Sequence, residues 1–261
     1  MSLNQQLDEY GKQVSAWLDQ ARKTVSAIQK FQKAAATGNL RDMERFRQSA
    51  IAASESLNQS AGLCPAFEFD FAAYLQPDGD FIPELKESAE SLGVKIYDRD
   101  GIIFCYPVLI SREPEIPAVR IDKRLDYGIR PDVLAAQLRK LQSKEPQTNP
   151  VRFIETLLDA YELLRSKPGK ARDEYIDLPL TKIYEILTLL PGANKDYTLL
   201  DFTRDIYFLE LSGLTETKSS YRMSLPASTV SRERNARILR FVTRDGLEKE
   251  YAAIRFTPPK R

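Results

Sequence analysis

The chain contains no histidine. Without an imidazole base, no Ser-His-Asp or Cys-His nucleophile relay can form within it. The same absence excludes an HExxH zinc site, a Cys₂His₂ finger and an iron site of two histidines and a carboxylate. Cysteine is almost as scarce. Cys64 and Cys105 stand far apart, so neither a four-cysteine metal site nor a disulfide framework is available, and a reducing cytoplasm is the expected setting. Of the 11 glycines, the closest two are Gly93 and Gly101. A P-loop or a dinucleotide fingerprint needs glycines within about five positions of each other, so neither phosphate cradle exists. No apolar run approaches the roughly 18 residues of a membrane helix, and the first ten residues are polar and acidic. Neither a membrane span nor a secretory signal is expected. An overall charge of one sign is missing too, with 38 Lys+Arg against 37 Asp+Glu.

What is present is the composition of a folded protein: 43% apolar, 29% charged and 10% aromatic residues. At about 100–200 residues per domain, the length allows one to three domains, each with a real core. The chemistry left open is carboxylate-bound Mg²⁺ or Mn²⁺, acid–base work by Lys or Tyr, and binding without catalysis. The expected class is a mainly helical α+β protein, with neither cofactor nor metal and no enzymatic activity.

Residues 1–62 predict an antiparallel, coiled-coil-like helical hairpin. Leu3, Leu7, Tyr10, Val14, Trp17, Ala21, Ile28 and Phe31 recur at 3-4 spacing over about four heptads. Thr37-Gly38-Asn39 supplies the turn, and Leu40, Met43, Phe46, Ala50, Ala53 and Leu57 share one face of the return helix.

Residues 63–168 predict a small α+β domain with flanking helices. Phe67, Phe69 and Phe71 alternate with Glu68 and Asp70, the period of a strand with one buried face. A short helix over Pro83–Leu92 ends at Gly93. Two strands flank Asp98-Arg99-Asp100-Gly101, a hairpin signal, and another spans Ala118–Ile121. Helices are expected over Pro131–Ser143 and Val151–Ser166, before a polar boundary at Ser166–Asp177.

The remainder, 169–261, predicts a helix over Leu180–Leu190, then a second from Thr198, capped with Asp201, to Gly213. A strand over Tyr221–Leu225 follows. A terminal hairpin has arms Ile238–Arg244 and Leu247–Phe256 joined at Asp245-Gly246. Helix, turn, helix and β-hairpin in this order resembles the winged helix-turn-helix superfamily. The resemblance implies DNA contact, ordinarily with the second helix in the major groove.

Thr215–Arg261 carries 11 Lys/Arg against 5 Asp/Glu. Lys218, Arg222, Arg232, Arg234, Arg237, Arg240 and Arg244 are interleaved with Ser219, Ser220, Ser224, Ser228, Thr229 and Ser231. Guanidinium groups and hydroxyls contact phosphate oxygens, so this segment is the candidate nucleic-acid face, for DNA rather than RNA. The alternative is a solvated surface or a docking face for an acidic protein. The second helix carries Asp201, Asp205 and Glu210 against Arg204 alone, which disfavours base reading and favours a sequence-neutral grip on the backbone.

Leu3, Leu7, Tyr10, Val14, Trp17, Ile28 and Phe31 are the candidate interface with a second copy or another subunit, because the first helix is longer than its return helix can cover. The alternative is packing within the chain. The leading reading is thus a non-enzymatic, cytoplasmic subunit of an assembly that holds nucleic-acid backbone through its C-terminal domain and docks through its N-terminal helices. A purely structural adaptor is the second reading. A metal-dependent nuclease built on Glu68, Asp70, Asp78, Asp80, Glu84, Asp98 and Asp100 is the third, although no acidic residue stands two before Lys95 or Lys123 in the nuclease pattern.

Overall fold

The computed structural model describes residues 1–144, 148–166, 176–226 and 238–259. The protein is a mainly helical α+β chain with two long, packed N-terminal helices and a small antiparallel sheet. It divides into two compact units, Met1–Leu92 with Ser111–Gln137, and Gly93–Ile110 with Leu138–Arg261.

In the first unit, α1 (Leu3–Ala36) opens with a capping box. The Ser2 hydroxyl accepts the Gln5 N–H, and the Gln5 side chain accepts the Ser2 N–H, so two orphan donors of the first turn are paired. Gly38, at φ +66°, turns the chain, and Asn39 caps α2 (Leu40–Gly62) by accepting the Asp42 N–H. Small residues form the seam: Thr24, Ala34 and Ala50 are buried, and the Thr24 hydroxyl, bonded to the Gln20 and Ala53 carbonyls, donates across to α2. The root of α1 is tied to α4 (Phe81–Ser91). The Leu3 N–H donates to Glu84 at 3.0 Å, and Glu84 also accepts the Tyr74 hydroxyl at 3.0 Å.

The strand expected over Phe67–Phe71 does not form. Residues 65–70 make no ladder; Phe67 and Phe69 instead extend a chain of ring contacts from Tyr10 through Tyr74 to Phe81, with centroids 5.0–6.0 Å apart. Asp70 caps the short helix α3 (Phe71–Tyr74) by accepting the Ala73 N–H. The alternation recorded aromatic stacking rather than strand pairing.

The sheet strands are β1 (Tyr97–Arg99), β2 (Ile102–Cys105), β3 (Val108–Glu113), β4 (Ala118–Ile121) and β5 (Arg124–Asp126), ordered as in the chain, with the division between units falling inside β3. The expected hairpin at Asp100-Gly101 joins β1 and β2, both turn residues having positive φ as a two-residue turn of this hand requires. Helices α5 (Pro131–Gln142) and α6 (Pro150–Arg165) follow.

The second unit is built around α6, α7 (Leu180–Leu187) and α9 (Leu199–Leu211), with the one-turn α8 (Ala193–Asp196) between the last two. Tyr161, Phe202 and Phe256 are its largest fully buried side chains. Strand β6 (Leu178–Pro179) lies beside β10 (Ala253–Thr257), which lies beside β7 (Arg222–Ser224); β8 (Leu239–Val242) and β9 (Glu248–Tyr251) form a separate hairpin. The single arm expected over Leu247–Phe256 is therefore two strands. Tyr251, Ala252, Ala253 and Ile254 are all buried, which breaks the in–out alternation of one strand, and the Ala252 carbonyl accepts the Leu180 N–H.

Candidate nucleic-acid interface

The described part of the basic C-terminal segment is organised by the register of β7 on β10. Arg222 stands opposite Thr257 and Ser224 opposite Arg255, while Met223 and Phe256 face the core. Because side chains alternate along each strand, Arg222, Ser224, Arg255 and Thr257 share one exposed face. The Thr257 hydroxyl donates to the Arg222 carbonyl at 3.2 Å, and Arg255 donates to Asp177 at 2.7 Å. Two guanidinium groups and two hydroxyls on a rigid ladder form the polar side-chain set that contacts phosphate oxygens. Arg255 and Thr257 escaped the sequence reading, since only the cross-strand register reveals them.

The seven residues expected to bind nucleic acid fall into distinct settings. Arg222 lies on the face just described. Lys218 is exposed, and its backbone N–H donates to Glu155 at 2.6 Å. Arg240 on β8 stands opposite Glu250 on β9 and pairs with Glu250 at 3.1 Å and Glu248 at 3.4 Å. Glu248 also pairs with Arg99. These carboxylates neutralise the hairpin locally and would oppose a phosphate. Arg244 lies over the Tyr106 ring at 5.8 Å, and its N–H donates to the Tyr207 hydroxyl. Arg232, Arg234 and Arg237 lie outside the described residues.

Helix α9 has no free face for a groove. Among its 13 residues only Glu210 and Leu211, at its C-terminal end, are exposed. Its acidic residues are used internally: Asp201 closes a capping box with Thr198 and pairs with Arg204 at 3.1 Å, and Glu210 accepts from Lys249 and the Tyr251 hydroxyl. Asp205 accepts the Tyr197 hydroxyl at 2.8 Å and the Thr148 hydroxyl at 2.9 Å. Burial pushes the Asp205 carboxyl above its ordinary value despite these donors. A carboxyl raised in the folded state favours the fold when protonated, so its stabilisation is lost as pH rises out of the ordinary carboxylate range. Asp205→Asn, which keeps an acceptor but no charge, is expected to raise stability at neutral pH by about 1 kcal/mol. Urea midpoints of the two proteins should converge as pH falls through the carboxylate range; a gap independent of pH would refute the assignment.

Of the residues expected at a partner interface, Leu3 is buried at the root of α1, and Tyr10 packs edge-on against Phe67 and accepts the Cys64 thiol at 3.8 Å. Leu7 and Phe31 are half-buried. Val14, Trp17 and Ile28 are exposed, together with Leu18 and Val25, which the sequence reading passed over. Val14, Leu18, Ala21, Val25 and Ile28 follow one another at alternating steps of four and three, a heptad seam separate from the one that meets α2.

Among the described residues, no group of three or more His, Cys, Asp or Glu side chains is placed to hold a metal ion. The carboxylates considered for a nuclease include the α3 cap Asp70 and Glu84, the acceptor for Leu3 and Tyr74. No helix among the described residues is long and apolar enough to cross a membrane. No known protein family, curated protein or solved structure matches the chain.

Proposed function

We propose that the protein is a non-enzymatic subunit of a cytoplasmic assembly that holds the backbone of nucleic acid, DNA rather than RNA, through its C-terminal unit, and docks through α1. The observation that carries this reading is the Arg222–Ser224–Arg255–Thr257 face on the β7–β10 ladder. The element order supports it. Helix α6, strand β6, helices α7 and α9, then β7 and β10, with β6 beside β10, resembles the order of a winged helix, in which the wing is the connection that corresponds in sequence to the one between β7 and β10. That connection includes Arg232, Arg234 and Arg237. The covered α9 helix favours a grip on phosphates over base reading, so binding should be strong in low salt and indifferent to sequence. Two cysteines that form no disulfide suit a reducing compartment.

Replacing Arg232, Arg234 and Arg237 together with Glu should abolish binding to every duplex alike, read as fluorescence anisotropy of labelled random duplexes at two salt concentrations. Retained binding, or a loss confined to one sequence, would refute the reading. The exposed heptad seam of α1 favours a second reading, a protein–protein adaptor. It calls for tight self-association or association with a partner and no salt-sensitive affinity for duplex.

A further inference from the structure

The α1–α2 hairpin is electrically polarised along its length. Between Gln20 and Ser49, around the turn, seven Lys/Arg stand against only Asp42 and Glu44. Toward the root, Lys12 alone stands against Asp8, Glu9, Asp19 and Glu55. Both carboxylates of the far half are engaged in its own surface: Glu44 holds Arg47 with two bonds of 2.7 and 2.8 Å, and Asp42 lies 3.5 Å from Arg45. Lys23 and Lys30 are exposed and have no acidic partner within 4.0 Å among the described residues. They are two turns apart on α1, hence about 10 Å along its axis, and line the same groove.

That groove, about 550 Å³, runs between α1 and α2. Besides the two lysines its lining includes Gln20, Ser26, Ser49, Arg22, which is paired with Asp19 at 3.2 Å, and Phe46, whose ring lies 4.6 Å from the Arg45 guanidinium carbon. Ammonium groups alternating with hydroxyl and amide donors suit a run of phosphates, whose contacts come from this mixture of side chains. The apolar seam of α1 does not contribute to the lining: none of Val14, Trp17, Leu18, Val25 or Ile28 borders the groove.

We infer that this groove at the far half of the hairpin is a second nucleic-acid contact, taking the phosphodiester backbone through Lys23 and Lys30. The inference rests on the reading above in assuming a nucleic-acid ligand, but its residues belong to a different compact unit. A site here would give the protein two separate grips on backbone, and every phosphate contact at the hairpin adds to the salt dependence of binding.

The test compares four proteins, unaltered, Lys23→Glu/Lys30→Glu, Lys23→Arg/Lys30→Arg, and Arg232→Glu/Arg234→Glu/Arg237→Glu, by anisotropy of a labelled random duplex over a salt series. The lysine variant should weaken binding by about tenfold or more and flatten the slope of log affinity against log salt by about two, one for each lost phosphate contact. Lys23→Arg/Lys30→Arg should bind as the unaltered chain does. Both lysines are exposed on a helix surface, so unchanged far-UV circular dichroism and unfolding midpoint are expected in both variants. If the arginine variant binds normally and the lysine variant does not, the C-terminal reading fails and the hairpin site stands. If the lysine variant matches the unaltered chain in affinity and slope, the hairpin site is overturned. It is equally overturned if the unaltered chain ignores duplex but binds vesicles containing phosphatidylserine through the same lysines, since the groove would then serve a membrane surface.

Discussion

Phe202→Ala should cost the second unit about 4 kcal/mol, the range measured when a large aromatic is truncated inside a packed core. Phe202 is fully buried, and its ring sits among Phe153, Tyr184 and Tyr197 with centroids 5.7–6.4 Å away. These partners come from α6, α7 and the residue before the α9 cap, so one cavity would loosen the packing of all three helices. With total stabilities of about 5–15 kcal/mol, such a loss leaves a substantial unfolded population near body temperature. Phe202→Leu, which refills most of the space, should lose less than half as much. Chemical denaturation of both variants checks this, and a deficit under about 1.5 kcal/mol for the alanine would mean that the surrounding rings collapse into the space. The functional consequence follows from Phe256. It belongs to the same buried cluster and lies on β10, the strand that presents Arg255 and Thr257 to solvent. Loss of this core should therefore also abolish the nucleic-acid binding proposed above.

Where the sequence was legible, the signal was local. Thr198 and Asp201 form the capping box expected from their spacing, Asp100-Gly101 turns the β1–β2 hairpin, and the starts of α5 and α6 coincide with prolines. Each of these is decided within four residues, by hydrogen bonds between near neighbours or by fixed φ. What the sequence concealed depends on partners that are distant in the chain. Phe67 and Phe69 have the period of a strand, but nothing pairs with them, and their rings stack between Tyr10 and Tyr74 instead. The split of 247–256 between β9 and β10 arises because the second half pairs with Leu178 and Met223, far upstream.

The same distinction governs the charged residues. Arg240 and Arg222 look alike in a count of basic residues, yet β9 sets two carboxylates beside Arg240, whereas β10 sets Thr257 opposite Arg222. Exposed ion pairs contribute little stability, about 0–1 kcal/mol, but they decide whether a surface attracts or repels an anion. Charge counting found the basic segment; strand register decides which of its arginines share one exposed face, Arg222 and Arg255, the latter paired with Asp177. In the helical hairpin, where neighbours three and four apart are fixed by the helix itself, the polarisation of charge is readable directly from the sequence, although the groove between α1 and α2 is not.

Gly79→Ala should destabilise the first unit by about 3 kcal/mol or more, although the change adds a single methyl group. A Cβ at Gly79 would stand 2.4 Å from the Ala73 carbonyl oxygen and 2.4 Å from that of Tyr74. Both obstacles are backbone, so no side-chain rotation relieves them, and the turn from α3 into α4 would have to move. The Gly79 N–H donates to the Gln76 carbonyl at 3.0 Å, which holds that turn closed. Displacing Tyr74 would disturb its hydroxyl bond to Glu84, and Glu84 is also the acceptor for the first N–H of α1. Asp78-Gly79-Asp80, whose two carboxylates belong to the set considered for a nuclease, is thus a turn with a steric need for glycine at its centre. Gly11→Ala supplies the contrast. Gly11 lies inside α1 with nothing within 4 Å of an added Cβ, so alanine there should stabilise the helix by about 0.5–1 kcal/mol. Thermal unfolding of the two variants should therefore shift in opposite directions. A Gly79→Ala protein as stable as the unaltered chain would show that the α3–α4 turn yields freely and does not brace the root of the hairpin.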